Sequence, residues 1–265
     1  MLLTSFAGCA LHDPKERYEN TKALALKQKW TEKKIEAGHF ILKSFLPSSH
    51  PIESELLTIF IEGDGFAWVD RHTPSSNPTP NNPMALKVAL NLNIKDSAYL
   101  SRPCQNSFDN DFKNCSEHYW TYDRFNSDVI DSMDEAVSKL KKELHANKIK
   151  LVGYSGGGVI ALLLANKRVD VIEVVTIASN IDTDAWTQYH DLTPMNVKNP
   201  ALLSEKLKNI TQIHYVGEDD DIVPASISKS YEKYYFGNKL PSIKIVKDFT
   251  HHCCWEDTNK YWIEK

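Results

Sequence analysis

The residues of this 265-residue chain that could do chemistry are one serine in a glycine cluster, two adjacent histidines and a run of aspartates. Ser155 stands in Gly153-Tyr154-Ser155-Gly156-Gly157. An apolar run, Lys148 to Val152, precedes that pentapeptide, and Val159 to Ala165 follows it. The spacing predicts a short buried strand, a sharp turn and a helix. A serine on so sharp a turn is held in a strained backbone conformation, and glycine neighbours remove the side chains that would collide with adjacent elements. The first N–H groups of the following helix have no partner inside it, so the main chain of Gly156 is a candidate donor to a developing oxyanion. The pentapeptide alone fits a tight turn with an idle serine equally well. Its partners must decide.

A serine hydroxyl is a poor nucleophile near neutral pH and needs a base, which in turn needs an orienting group. Acidic candidates lie in Gly217-Glu218-Asp219-Asp220-Asp221-Ile222-Val223-Pro224, directly after an apolar strand, with Asp182 and Asp184 as a second, lesser pair. The 219–221 cluster also reads as an acidic turn or a cation site. Basic candidates are His251 and His252, in Phe249-Thr250-His251-His252-Cys253-Cys254-Trp255. Side chains of consecutive residues point apart, so only one of the two histidines can face the serine. The same argument weighs against a metal centre in the His-His-Cys-Cys string, and no metal or organic cofactor is expected.

Four segments together resemble the α/β-hydrolase superfamily, and within it bacterial hydrolases carrying a lipoprotein-type signal. They are Ile61-Glu62-Gly63-Asp64-Gly65-Phe66, Ser101-Arg102-Pro103-Cys104, the Gly-Tyr-Ser-Gly-Gly-Gly elbow, and His252-Cys253-Cys254-Trp255. The resemblance runs from about Leu56 to the C-terminus. It implies a mostly parallel sheet with helices on both faces, and a triad in the chain order Ser155, Asp220, His251, with His252 as the rival base. It also implies main-chain oxyanion donors at Asp64 and Gly65 beside Gly156. Glu62 departs from the pattern, because a histidine usually precedes that glycine. The implied activity is hydrolysis of an ester or related acyl bond in a small-molecule or lipid substrate. A peptidase or thioesterase on the same triad is an alternative. So is a catalytically silent envelope protein that keeps the fold and binds a ligand or partner.

The elements that must position these residues follow from the apolar patterning. Strands are expected at 39–46, 56–61, 98–100, 148–152, 171–178, 211–216 and 242–246. Helices are expected at 84–92, 127–144 with Ser127 as its cap, and 225–236 with Gly237 as its stop. Strands alternating with helices give a parallel sheet covered on both faces. Residues 68–83 hold four prolines and no regular pattern. They read as a wall of the substrate site, with Trp68, and also Tyr154 and Arg71, as substrate contacts. Residues 10–38 read as one peripheral helix or tether stopped by Gly38, ahead of a hydrolase domain over 39–265. Residues 1–9, ending Phe6-Ala7-Gly8-Cys9, resemble the end of a lipoprotein signal with Cys9 as the lipidated residue.

Composition narrows the class. Hydrophobic residues are 42% and the net charge is −4, so no basic surface points to nucleic acid. No apolar run is long enough to span a bilayer. The 5 cysteines fit one lipid attachment and two pairs: a bond from Cys104 to Cys115 would close a polar loop, adjacent Cys253 and Cys254 either bond or stay thiols, and the sequence does not choose among the three pairings of the four. That usage suits the envelope of a bacterium, with the cytoplasm as the alternative.

Overall fold

The structure is a computed structural model, and it describes residues 13–49, 54–235 and 240–257. Eight strands form one sheet: β1 (Trp30–Ala37), β2 (Phe40–Pro47), β3 (Ser54–Ile61), β4 (Ser97–Leu100), β5 (Ala146–Tyr154), β6 (Val171–Ile177), β7 (Thr211–Gly217) and β8 (Ser242–Val246). Their order is β1-β2-β4-β3-β5-β6-β7-β8. The β1–β2 and β2–β4 pairs are antiparallel, and every pair from β4 to β8 is parallel.

Alternation along the central strands divides the core in two. Ile59 and Ile61 of β3, Leu151 of β5 and Val174 of β6 face one side, against helices α3 (Ser127–Glu143) and α4 (Gly156–Lys167). Phe60, Val152 and Val175 face the other, against α1 (Pro14–Lys27) and α2 (Met84–Leu92). Both faces are apolar, as a parallel sheet layered between helices requires. Shorter helices follow among the described residues: α5 (Thr183–Tyr189), α6 (Ser204–Leu207) and α7 (Ala225–Glu232).

Three expectations need correction. The single helix expected over 10–38 ends at Lys27, and residues 30–37 are instead an edge strand hairpinned onto β2 through Gly38. The period changes there from helical to two: Trp30 packs in one core, while Ile35 and Ala37, at odd positions, pack in the other. The cap of α3 is Asn126, whose side chain accepts from Val129 N at 3.0 Å, not Ser127. Helix α7 stops at Glu232, short of the expected 236, and Gly237 lies outside the described residues. Cys9 also lies outside them.

Candidate active site

Strand β5 runs out at Tyr154 and α4 begins at Gly156, leaving Ser155 alone at the junction with φ 49° and ψ −125°. That conformation is costly for a residue with a side chain. It is held in place from both sides: Ser155 N donates to Ile177 O at 2.8 Å, and Ser179 Oγ donates to Ser155 O at 2.7 Å. The turn is tight enough that a Cβ on Gly157 would run into the carbonyls of Ile61 and Glu62. Glycine there lets α4 start directly under the end of β3.

The loops after β7 and β8 supply the partners. They cross so closely that a Cβ on Gly217 would collide with the Phe249 carbonyl, and Asp219 N donates to that same oxygen at 2.9 Å. This crossing brings Asp220 beside His251. His251 Nδ1 lies 3.0 Å from Asp220 Oδ2, and His251 Nε2 lies 3.2 Å from Ser155 Oγ. The other carboxylate oxygen of Asp220 accepts from the main chain of Ile222 at 3.0 Å and of Val223 at 2.7 Å. Both oxygens of the buried carboxylate are thereby engaged. Asp219 and Asp221 are exposed. Asp182 caps α5 through Ala185 N, and Asn199 Nδ2 bridges Asp182 and Asp184, so neither reaches the histidine.

Of the two adjacent histidines, His251 faces the serine and His252 is exposed. Tyr154 sets this choice. Its hydroxyl donates to His251 O at 3.0 Å and lies 3.4 Å from His252 Nδ1. Burial, with the carboxylates of Glu62 and Asp220 nearby, pushes the Tyr154 hydroxyl far above its ordinary range, so it stays a donor. Tyr154, expected as a substrate contact, has its ring in the core. Trp255, fully buried, donates from Nε1 to both Thr250 O and His251 O, and packs edge-on against Phe249. Cys253 and Cys254 are bonded to each other within this loop.

The turn after β3 abuts the serine. A Cβ on Gly63 would sit 3.3 Å from Ser155 Cβ, and the Asp64 carboxylate lies over Gly156. Gly65 has φ +69°, and a side chain there would strike Pro78 O and Gln105. Gln105 Nε2 donates to Gly63 O at 2.8 Å. Asp64 is ion-paired to Arg102 and, at 3.1 Å, to Arg124, and together they hold its carboxyl below the usual range despite burial acting in the opposite sense. Glu62, two residues back, is buried among Gly63 N, Ala85 N and Tyr99, and burial raises its carboxyl to about 7.

The long loop after this turn divides into two halves. Trp68 pairs edge-on with exposed Tyr122 at 5.5 Å, and Arg71 is exposed. The second half is scaffold: Asn77 O accepts from Arg17, Asn77 Nδ2 donates to Ser107 O, and Thr79 Oγ1 accepts from Asn106 N. The Cys104–Cys115 disulfide, with Cα atoms 5.7 Å apart, closes the neighbouring loop.

These neighbours were not legible as site residues. Arg102 stood out only as part of a motif, and Gln105 and Arg124 carried no signal beyond being polar residues among aromatics and cysteines.

Comparison with solved structures bears on the fold. An α/β serine hydrolase homologue from Coxiella burnetii matches with a TM-score of 0.56 at 14% identity, covering 84% of this chain and 89% of its own. Est1E from Butyrivibrio proteoclasticus matches at 0.59 and 14%, over 87% and 94%. An esterase from Pyrococcus furiosus matches at 0.60 and 12%, over 89% of each chain. The fold is that of the α/β serine hydrolases. No protein-family profile matches the chain, and no curated protein sequence does. At these identities the likeness extends to the α/β-hydrolase scaffold, and the chemistry of the site rests on the residues described above.

Proposed function

We propose that this chain is a serine hydrolase that cleaves an ester or related acyl bond through an acyl-enzyme. One observation carries the reading: Asp220, His251 and Ser155, brought from distant parts of the chain, lie in a single hydrogen-bonded line with separations of 3.0 and 3.2 Å. Ser155 Oγ attacks the carbonyl while His251 Nε2 takes its proton, and Asp220 holds the proton of Nδ1 and stabilises the imidazolium. The main-chain N–H groups of Gly156 and of the Asp64–Gly65 turn receive the tetrahedral oxyanion. His251 then returns its proton to the leaving group and activates the water that releases the acyl group. An ester substrate, small or lipid, is favoured because an esterase is among the structures of the same scaffold.

A fluorophosphonate probe tests this. The expected result is labelling of the parent chain at Ser155, absent in Ser155→Ala, together with turnover of p-nitrophenyl esters. Folded parent chain that takes no label would overturn the hydrolase reading in favour of a binding protein. Label with turnover of peptides or thioesters alone would overturn the ester class.

A further inference from the structure

We propose that Asp64, gripped by Arg102 and Arg124, is a charged clamp that fixes the oxyanion turn and lends it one net positive charge. The inference rests on the hydrolase reading above and adds three positioning residues to it.

The clamp is built from three loops. Arg102 Nη1 donates to Asp64 Oδ1, and its Nη2 donates to Arg124 O. Arg124 Nε lies 3.1 Å from Asp64 Oδ2, and its Nη1 donates to Thr121 O at 2.7 Å. Both guanidinium groups lie over the Phe125 ring, at 5.0 and 5.2 Å. Gln105 locks the arrangement, accepting from Arg102 N at 3.1 Å while it donates to Gly63 O. The whole assembly sits against the first residue of α4: a Cβ on Gly156 would overlap Asp64 Oδ1 and lie 2.9 Å from Arg102 Nη1.

The charge count is the argument. A carboxylate beside an oxyanion site would by itself oppose the charge that develops there. Two guanidinium groups, with side chains 4% and 11% exposed, reverse the sign and leave one positive charge in excess below about pH 7, where buried Glu62 holds its proton. Burying an unmatched charge costs stability, so a merely structural clamp would be better served by one arginine. With Glu62 protonated, a second negative charge reaches this corner when the substrate carbonyl becomes an oxyanion. The excess therefore complements the transition state and not the bound ester, which is the condition for raising kcat.

The experiment measures kcat and KM on a p-nitrophenyl ester, and the rate of fluorophosphonate labelling, for the full chain and for Arg102→Gln, Arg102→Lys and Arg124→Gln. Arg102→Gln is expected to lower kcat about 100-fold, the scale of losing one oxyanion donor, with little change in KM. Arg102→Lys keeps the charge and is expected to recover most of that loss. Arg124, at the more exposed end, gives the same kcat-only pattern on a smaller scale and serves if Arg102→Gln does not fold. Parental kcat in folded Arg102→Gln, or equal losses for glutamine and lysine with KM rising in step, would overturn the clamp. In either case a labelled parent leaves the hydrolase reading intact. A parent that Ser155 labelling never marks overturns both.

Discussion

Glu62 gives the sharpest thermodynamic prediction. Its carboxyl is fully enclosed, accepts from Gly63 N and Ala85 N, and has one oxygen without a hydrogen-bond partner. Burial raises it from an ordinary 4.5 to about 7. A gap of that size is worth about 3 kcal/mol between the two protonation states. The sign follows from proton counting. Below about pH 4.5 the native and unfolded chains both hold the proton, and Glu62 costs nothing. As pH rises toward 7 the unfolded chain releases its proton first, so stability falls. Above about pH 7 the full penalty of about 3 kcal/mol persists. Glu62→Gln keeps an acceptor for both N–H groups, cannot ionise, and places an NH₂ beside the Tyr99 hydroxyl. Urea unfolding of parent and variant across pH 4 to 9 isolates the effect, because the other titrations cancel in the difference. The variant is expected to gain about 3 kcal/mol on the parent between the acid and alkaline ends. A stability difference that stays flat across that range would refute the assigned environment of Glu62.

Three further outcomes are expected. His251→Ala should cut ester turnover by about 10⁴-fold or more, as loss of a triad base does. His252→Ala should leave turnover near the parent's, and the reverse ranking would make His252 the base and refute the role given to His251. Replacing Cys104 and Cys115 by serine opens a loop with a sequence separation of 11. It should lower stability by about 3 kcal/mol on the chain-entropy account. An unchanged denaturation midpoint in an oxidised sample would refute a structural role for that bond.

The scaffold was legible where periodicity and punctuation agreed. Strands β2 to β8 and helix α2 follow from apolar runs bounded by turn residues, and a central strand run such as Leu57–Ile61 has little other way to be buried. The edge strand Trp30–Ala37 was not legible, because its lysines and glutamates match a solvated helix as well as a strand, and only pairing with β2 decides between them. The approach of Ser155, Asp220 and His251 was readable as an order along the chain. What could not be read was which of two adjacent histidines turns inward. That depends on Tyr154 and Trp255 taking the His251 carbonyl, a contact set by the crossing of two loops. Charge partners were the least legible of all. Nothing in the spacing of Asp64, Arg102 and Arg124 announces an ion cluster, since residues 38 and 22 positions apart meet only when β3 and β4 pair.

On the hydrolase reading, the sheet divides the work of the site between two pairs of loops. The loops after β7 and β8 hold Asp220 and His251, which manage a proton. The loops after β3 and β4 hold Asp64 and Arg102, which manage a negative charge. Ser155 and the start of α4, between β3 and β6 in the strand order, separate the two groups. This separation has a physical use. An imidazolium formed on His251 is stabilised by Asp220 on its far side, and the oxyanion by guanidinium charge on the opposite side. The ion pair that develops during attack is thus supported at each end by a separate charge system. Parallel strands make the arrangement possible, because their C-terminal ends all open onto one edge of the sheet. An antiparallel neighbour at β3 or β7 would carry one of the two charge systems to the other end of the molecule.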